Sequence, residues 1–362
     1  MRTVVVSARG TFLGKRGERL LVKRPPPRPA PAVGSDTSSS EPDVPPVRGK
    51  AARDEEEIPL FRVGEILVPA RGVSLSTDLI EEVVARGIPI SFLRPGGEPY
   101  AMLVSPMLTA TTKTRRAQLK AMDNQTGLAL ARGFVAGKLR NQASLLVYFA
   151  KAEAKDAPRR KRVVEAAARV RASRRQVLAI EGKNVDYVRE HLLGAEGMGA
   201  RAYWEGVRAL VESHCSTFEG RSGRGAVDSV NALLNYGYGI LASRSWAALM
   251  LAGLDPFAGF LHTDRPGKPS LVLDAMEELR PGVVDRAVLA YVRLGRPIRF
   301  EGGRLDEDSR RALAESVLER LESPVVRRGR RVQLGSVLQQ QARSIATFVR
   351  GEGTYTPLAM TW

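Results

Sequence analysis

Two hydrophobic rhythms divide the chain. Up to about Val104 the apolar residues come in short β-branched runs, at 4–6, 20–22, 66–68, 88–92 and 101–104, separated by Gly, Pro and charged turns. That punctuation predicts strands. One helix interrupts them: Ser76 offers an N-cap, Asp78 an acid in the first turn, Leu79, Ile80, Val83 and Val84 a common face, and Gly87 a C-terminal stop. After Ser105 and Pro106 the period becomes 3.6 and stays there. It predicts helices over 112–131, 132–151, 159–180, 185–193, 195–214, 228–252, 270–279, 283–293, 306–322 and 334–350. The expected class is α+β, with an N-terminal β-rich domain at 1–104, a linker at 105–111 and a larger all-helical domain at 112–362. The 362 residues are enough for two cores.

Residues 24–57 break the first rhythm. They contain PPPRPAPAVGSDTSSSEPDVPP and a mixed-charge tail, with almost nothing to bury against the entropy of ordering. A disordered insert between two strands is expected, and a Pro-rich docking segment is the alternative.

Charge narrows the function. Lys and Arg number 56 against 39 Asp and Glu, a net charge of +17, which reads as the electrostatic footprint of a nucleic-acid partner, with a membrane surface or a merely basic exterior as the alternatives. The basic residues cluster in segments that read as helical: Lys113, Arg115, Arg116 and Lys120; Arg159 to Arg162; Arg169, Arg171, Arg174 and Arg175; Arg327 to Arg331. Cys215 stands alone, so neither an intramolecular disulfide nor a cysteine-rich zinc site can form. The start MRTVVVSARGTF lacks the apolar run of a signal peptide, and no uninterrupted apolar stretch is long enough for a membrane helix. A soluble cytoplasmic protein without a membrane partner is expected.

The chemistry gathers at two stretches. In GFLHTDRPGKPSLVLDAMEELRP, residues 259–281, His262 precedes a Gly/Pro turn, Ser270 stands where a helix cap belongs, and Asp274 and Glu277 share a helical face by their i, i+3 spacing. Val272, Met276 and Leu279 make an apolar stripe, which puts the carboxylates toward its edge. In GAEGMGARAYWEGV, residues 194–207, Glu196 falls at the expected start of a helix among three glycines. Each has a plainer reading: a hydrogen-bonded core histidine, a solvated helix edge, an acid favouring the helix dipole. Converging, they would suit Mg²⁺ or Mn²⁺, which take carboxylates and tolerate imidazole. Between them, Arg221 and Arg224 lie in a Gly-rich turn before Asp228, a helix cap. Asn231, Tyr236 and Tyr238 follow in an apolar helix, where core packing and base stacking are the two readings of the tyrosines.

EGMGARAYW, DSVNALLNYGYGIL and GFLHTDRPGKPSLVLDAMEELRP, in that order, resemble the CRISPR-associated spacer-acquisition integrase family, the universal catalytic subunit of CRISPR adaptation. The likeness extends to IPL at 58–60, GVSLSTDLIEEVVARGIPISFL, KLRNQ at 138–142 and the C-terminal QQQARSIATFVRGEGTYTPLAMTW. It implies that the helical domain is catalytic, and that the protein is a metal-dependent DNA integrase and endonuclease. Such an enzyme inserts captured DNA fragments into a CRISPR repeat array by 3′-hydroxyl attack on a phosphodiester. A transposon-type integrase or a branched-DNA repair nuclease is the alternative. Mapped by motif, Glu196, His262 and Glu277 match the metal ligands, with Asp274 an additional catalytic acid. Many members carry aspartate where this chain has Glu277. The candidate DNA-binding cations are Arg201, Arg221, Arg224, Arg244 and Lys268. The family further implies a homodimer and a small ferredoxin-like partner of the acquisition complex.

Overall fold

The computed structural model describes residues 2–26, 54–105, 111–154, 157–222, 225–226, 228–327 and 329–360. They group into two compact units, residues 1–92 with 102–104, and residues 93–101 with 105–362.

The first unit is built on two four-stranded sheets. The elements up to Leu103 are β1 (Arg2–Val5), β2 (Phe12–Arg16), β3 (Arg19–Arg24), β4 (Asp54–Pro59), β5 (Val63–Val68), β6 (Ser74–Leu75), α1 (Thr77–Ala85), β7 (Ile90–Leu93) and β8 (Pro99–Leu103). One sheet runs β1-β5-β7-β8, with β1 and β7 parallel to β5; the other runs β4-β3-β2-β6. Leu13, Leu20, Val22, Ile58, Leu60, Ile66, Leu79, Val83 and Ile90 form the core. Helix α1 begins where the sequence places it, with Ser76 Oγ accepting from the Leu79 N–H, and ends before Gly87 at φ +66°. A side chain with a Cβ would strain that conformation.

The insert is shorter than its composition implies. Arg24 and residues 54–57 belong to strands, paired in the register Arg24↔Asp54, Lys23↔Glu55 and Val22↔Glu56. Polarity is misleading here because the acids of β4 sit opposite bases: Arg24 bonds Asp54 and Glu56, and Lys23 pairs with Glu55 at 2.8 Å. Exposed pairs contribute only ~0.2–1 kcal/mol each, yet they give a charged strand its partner. The rest of the Pro-rich stretch, 27–53, lies outside the described residues.

The second unit is mostly helical. It comprises α2 (Thr111–Met122), α3 (Gln125–Ala150), α4 (Pro158–Ala179), α5 (Val185–Val211), α6 (Ser229–Leu251), α7 (Ser270–Met276), a π-helical turn at Pro281–Asp285, α8 (Arg286–Arg293), α9 (Glu307–Glu322) and α10 (Leu334–Val349). It is not all-helical. Two hairpins interrupt it, β9 (Phe300–Glu301) with β10 (Arg304–Leu305), and β11 (Pro324–Arg327) with β12 (Arg330–Gln333). Their turns need glycine: Gly302, Gly303 and Gly329 have φ of +56°, +77° and +75°. Arg327, Arg330 and Arg331 of the basic run therefore lie in a hairpin, not a helix.

Two helix boundaries also differ from the periodicity. The break expected near 131 falls at Asn124, whose side chain caps α3 by accepting from Thr126 N–H at 2.8 Å. The break expected at Gly194 is absent, and α5 is continuous through Gly194, Gly197 and Gly199. Small residues on α5 permit close packing: a Cβ at Gly199 would lie 2.4 Å from Leu139 Cδ2, and one at Gly206 2.9 Å from Leu146 Cδ2. Helix α6, capped by Asp228 through the Asn231 N–H at 2.8 Å, is apolar nearly all round and buried accordingly.

Candidate metal centre

His262 stands in the loop between α6 and α7, and α7 holds that loop through one side chain. Asp274 is wholly buried. Its Oδ2 accepts from the backbone N–H groups of Phe260 (2.6 Å) and Leu261 (2.9 Å). Its Oδ1 accepts from the His262 N–H (3.1 Å) and lies 2.6 Å from His262 Nδ1. A carboxylate offers only acceptors, so Nδ1 carries the proton and Nε2 keeps its lone pair in the neutral ring. Gly259 lets the loop close, since a Cβ there would meet Ser270 Cβ at 2.6 Å and Asp274 Oδ2 at 3.0 Å.

This corrects the picture of two carboxylates at a helix edge. Helix α7 is enclosed, with Leu271, Val272, Asp274, Ala275 and Met276 all buried, so the acids have no solvated face. Ser270 is not the cap either. Pro269 occupies that position, and the Ser270 hydroxyl donates to the Thr263 carbonyl at 3.2 Å.

Glu277 lies one residue beyond α7 and is 3% exposed. Its Oε1 is 2.8 Å from Arg280 Nη1 and its Oε2 is 2.7 Å from Lys138 Nζ. The same Nζ donates to Glu196 Oε1, so α3, α5 and the end of α7 deliver two carboxylates to one ammonium. Burial by itself would raise the Glu277 pKa, but Arg280 and Lys138, with His262 acting in the same sense, hold it at about 2. For Lys138 burial works downward, and Glu277 and Glu196 overcome it to carry the pKa upward. Glu277 Oε2 is a buried oxygen that meets the Lys138 ammonium and, among the described residues, no other donor. Glu196 itself sits in the middle of α5, not at a helix start, so the dipole of a first turn does not account for it.

With this geometry in place, likeness to known proteins is informative. The family model described as CRISPR associated protein Cas1 matches residues 4–319. The chain belongs to the Cas1 family. The CRISPR-associated endonuclease Cas1 1 of Archaeoglobus fulgidus is 36% identical over 303 residues, 80% of this chain and 87% of the archaeal one. Among solved structures, a casposase bound to integration product superposes with a TM-score of 0.74 at 20% identity, over 98% of this chain and 92% of that one. A Cas6-RT-Cas1–Cas2 complex superposes with a TM-score of 0.70 at 19% identity, over 99% of this chain and 36% of that one. At these identities the two structures share the Cas1 fold.

The donors fit a hard divalent cation. Two carboxylates already converge on one positive charge, one buried carboxylate oxygen has no donor other than that ammonium among the described residues, and an oriented imidazole stands within electrostatic reach. Among the described residues no three acidic, imidazole or thiol groups are closed around a single point, and Lys138 Nζ stands between the two glutamates.

The family's basic candidates are dispersed. Arg201 is exposed on α5, Arg244 half-buried on α6 and Lys268 half-buried in the loop before α7. Arg224 lies outside the described residues. Arg221 is engaged by its own unit: it donates to Asn231 Oδ1 (3.0 Å) and Asn235 Oδ1 (2.6 Å) and lies over the Tyr238 ring at 5.4 Å. Tyr238 also carries Arg280 at 4.9 Å and, with Tyr203, donates to buried Asp285, at 2.5 and 2.7 Å. For Tyr238 packing with a satisfied hydroxyl is what the structure shows, and Tyr236 is buried as well. Lys138 and Arg280 escaped the reading of the sequence. The signal for Lys138 was available: the long helix α3 is otherwise apolar on most of its surface, and Lys138, Asn141 and Gln142 are polar residues buried within it.

Proposed function

We propose that this chain is the metal-dependent DNA integrase and endonuclease of a CRISPR acquisition system, joining the 3′-hydroxyl of a captured DNA fragment to a phosphodiester of the repeat array. One observation carries the assignment of the site: Glu196 and Glu277, from α5 and the end of α7, meet at Lys138, while His262, whose tautomer is set by Asp274, acts electrostatically on Glu277. Glu196, Glu277 and His262 Nε2 would hold the ion. Bound there, Mg²⁺ or Mn²⁺ supplies Lewis acidity toward a phosphate oxygen.

The chain's own residues prepare for this. Asp274 keeps the Nε2 lone pair available, and Arg280 with Lys138 keeps Glu277 ionised. The Lys138 ammonium adds positive charge where an anionic phosphate must approach. In the transfer, the attacking 3′ oxygen forms the new P–O bond as the repeat strand's 3′ oxygen leaves, and no covalent enzyme intermediate is needed. Partners follow the same reading: DNA held through its backbone by basic side chains, a second copy of the chain, and the small ferredoxin-like subunit of the acquisition complex. The 36% identity to an archaeal Cas1 endonuclease favours this over a transposon-type integrase, whose fold is shared. No helix among the described residues is long and apolar enough to cross a membrane.

The test is strand transfer of a prespacer into a repeat-bearing plasmid with Mn²⁺. His262→Ala should reduce it by at least about 100-fold. Undiminished transfer refutes the site, and transfer that needs neither a repeat nor the small subunit favours the transposon-type enzyme.

A further inference from the structure

The backbone that carries Glu277 is irregular. Helix α7 stops at Met276, the π-helical turn begins at Pro281, and between them Glu277 and Leu279 donate only to the third residue back. A carbonyl in such a stretch needs support from outside the helix. For Glu278 it comes from Asn141 on α3, fully buried and one turn beyond Lys138. Asn141 Nδ2 donates to the Glu278 carbonyl at 2.7 Å and to the Leu358 carbonyl at 2.9 Å, while its Oδ1 accepts from the Met360 N–H at 2.8 Å.

Residues 354–360 are also tied to the side chain of Glu278. The Leu358 N–H donates to Glu278 Oε2 at 2.7 Å, and Gln341 on α10 donates both to Glu278 Oε1 at 2.6 Å and to the Thr356 carbonyl at 3.2 Å. The segment lies close on α3 because α3 presents glycines beneath Tyr355 and Pro357. A Cβ at Gly133 would be 3.0 Å from Tyr355 Cε1, and one at Gly137, next to Lys138, 3.0 Å from Pro357 Cβ. On the far side of Glu277 a Cβ at Gly282 would lie 2.4 Å from Met360 Cε.

We propose that residues 354–360 are a positioning strap for the ion site, and that Asn141, by clamping the strap to the Glu278 peptide, is the positioning residue that sets where the Glu277 carboxylate stands relative to Lys138 and Glu196. The inference rests on the reading of Glu277 as a ligand. It assigns a role to the C-terminus that needs no contact with DNA.

Mn²⁺ binding to the full-length protein, followed by loss of the free-ion electron paramagnetic resonance signal, tests it without DNA. Wild type and His262→Ala establish the site. Asn141→Ala and Glu278→Gln should then weaken Mn²⁺ binding by about 10- to 100-fold, the effect expected for groups that support a ligand. Leu313→Ala, a core truncation on α9 that makes none of the strap's hydrogen bonds, should lower the melting temperature and leave Mn²⁺ affinity unchanged. Strand transfer by the strap variants should recover as Mn²⁺ is raised. If Asn141→Ala does not fold, Glu278→Gln decides. Wild-type Mn²⁺ affinity in a folded strap variant overturns the strap. A wild-type protein whose Mn²⁺ binding is indifferent to His262→Ala overturns the ligand reading, and the strap with it.

Discussion

At the residue scale, one carboxylate decides what the histidine can do. Asp274 accepts four N–H groups with two oxygens, and an asparagine there would have to aim its amino group at two of them. The cheaper orientation turns that group toward His262, because the imidazole can shift its proton from Nδ1 to Nε2 and accept. Nε2 then loses its lone pair. Asp274→Asn is therefore expected to lose about 10²–10⁴-fold in strand transfer while losing ~1–3 kcal/mol of stability, measured by transfer assay and thermal melting together. Retained transfer would show that His262 does not act through Nε2. The adjacent acids differ in the same physical way: Glu277 is buried beside two cations and stays charged, whereas burial of Glu278 outweighs its hydrogen bonds and raises its pKa to about 7. Residue type and spacing do not distinguish neighbours whose surroundings differ this much.

At the element scale, glycines carry different meanings within one helix. Gly197 on α5 has nothing within 4 Å of where a Cβ would be, while Gly199 would press one against Leu139 and Ser173. Gly197→Ala should stabilise by ~0.5–1 kcal/mol, through helix propensity alone. Gly199→Ala should destabilise by ~1–3 kcal/mol, tempered by the freedom of the Leu139 side chain to give way. Urea-unfolding midpoints of the two variants check both, and a destabilising Gly197→Ala would refute the continuous helix. The glycines of this stretch mimic a break in the sequence because period and composition do not say whether a glycine ends a helix or admits a neighbour. Ser76, Asp228 and Gly87 were legible because capping is local chemistry. Strand β4 was not, because four acids in a row read as solvated until the bases opposite them are known.

At the scale of the whole molecule, the +17 charge does not say which of the 56 cations meet DNA. Several of the sequence's basic clusters are partly neutralised within the protein, as Arg162 is by Glu212 and Arg169 by Glu205. If 6–10 phosphate contacts remain, DNA affinity should fall by about 10³–10⁵ between 50 and 200 mM salt, a slope that filter binding measures directly. A flat salt response would remove the electrostatic account of binding. By itself the sequence determined the α+β class, the change of rhythm after Val104, the local caps, the basic character and the family, all properties written in short-range pattern or in motif order. It also picked out Glu196, His262, Asp274 and Glu277 as the residues to watch. Only the tertiary structure decided that Asp274 orients the histidine while Glu277 faces Glu196 across Lys138. The second of these relations joins Lys138 on α3, Glu196 on α5 and Glu277 after α7, 58 to 139 residues apart in the chain, and a contact across such separations exists only once packing has brought its two ends together.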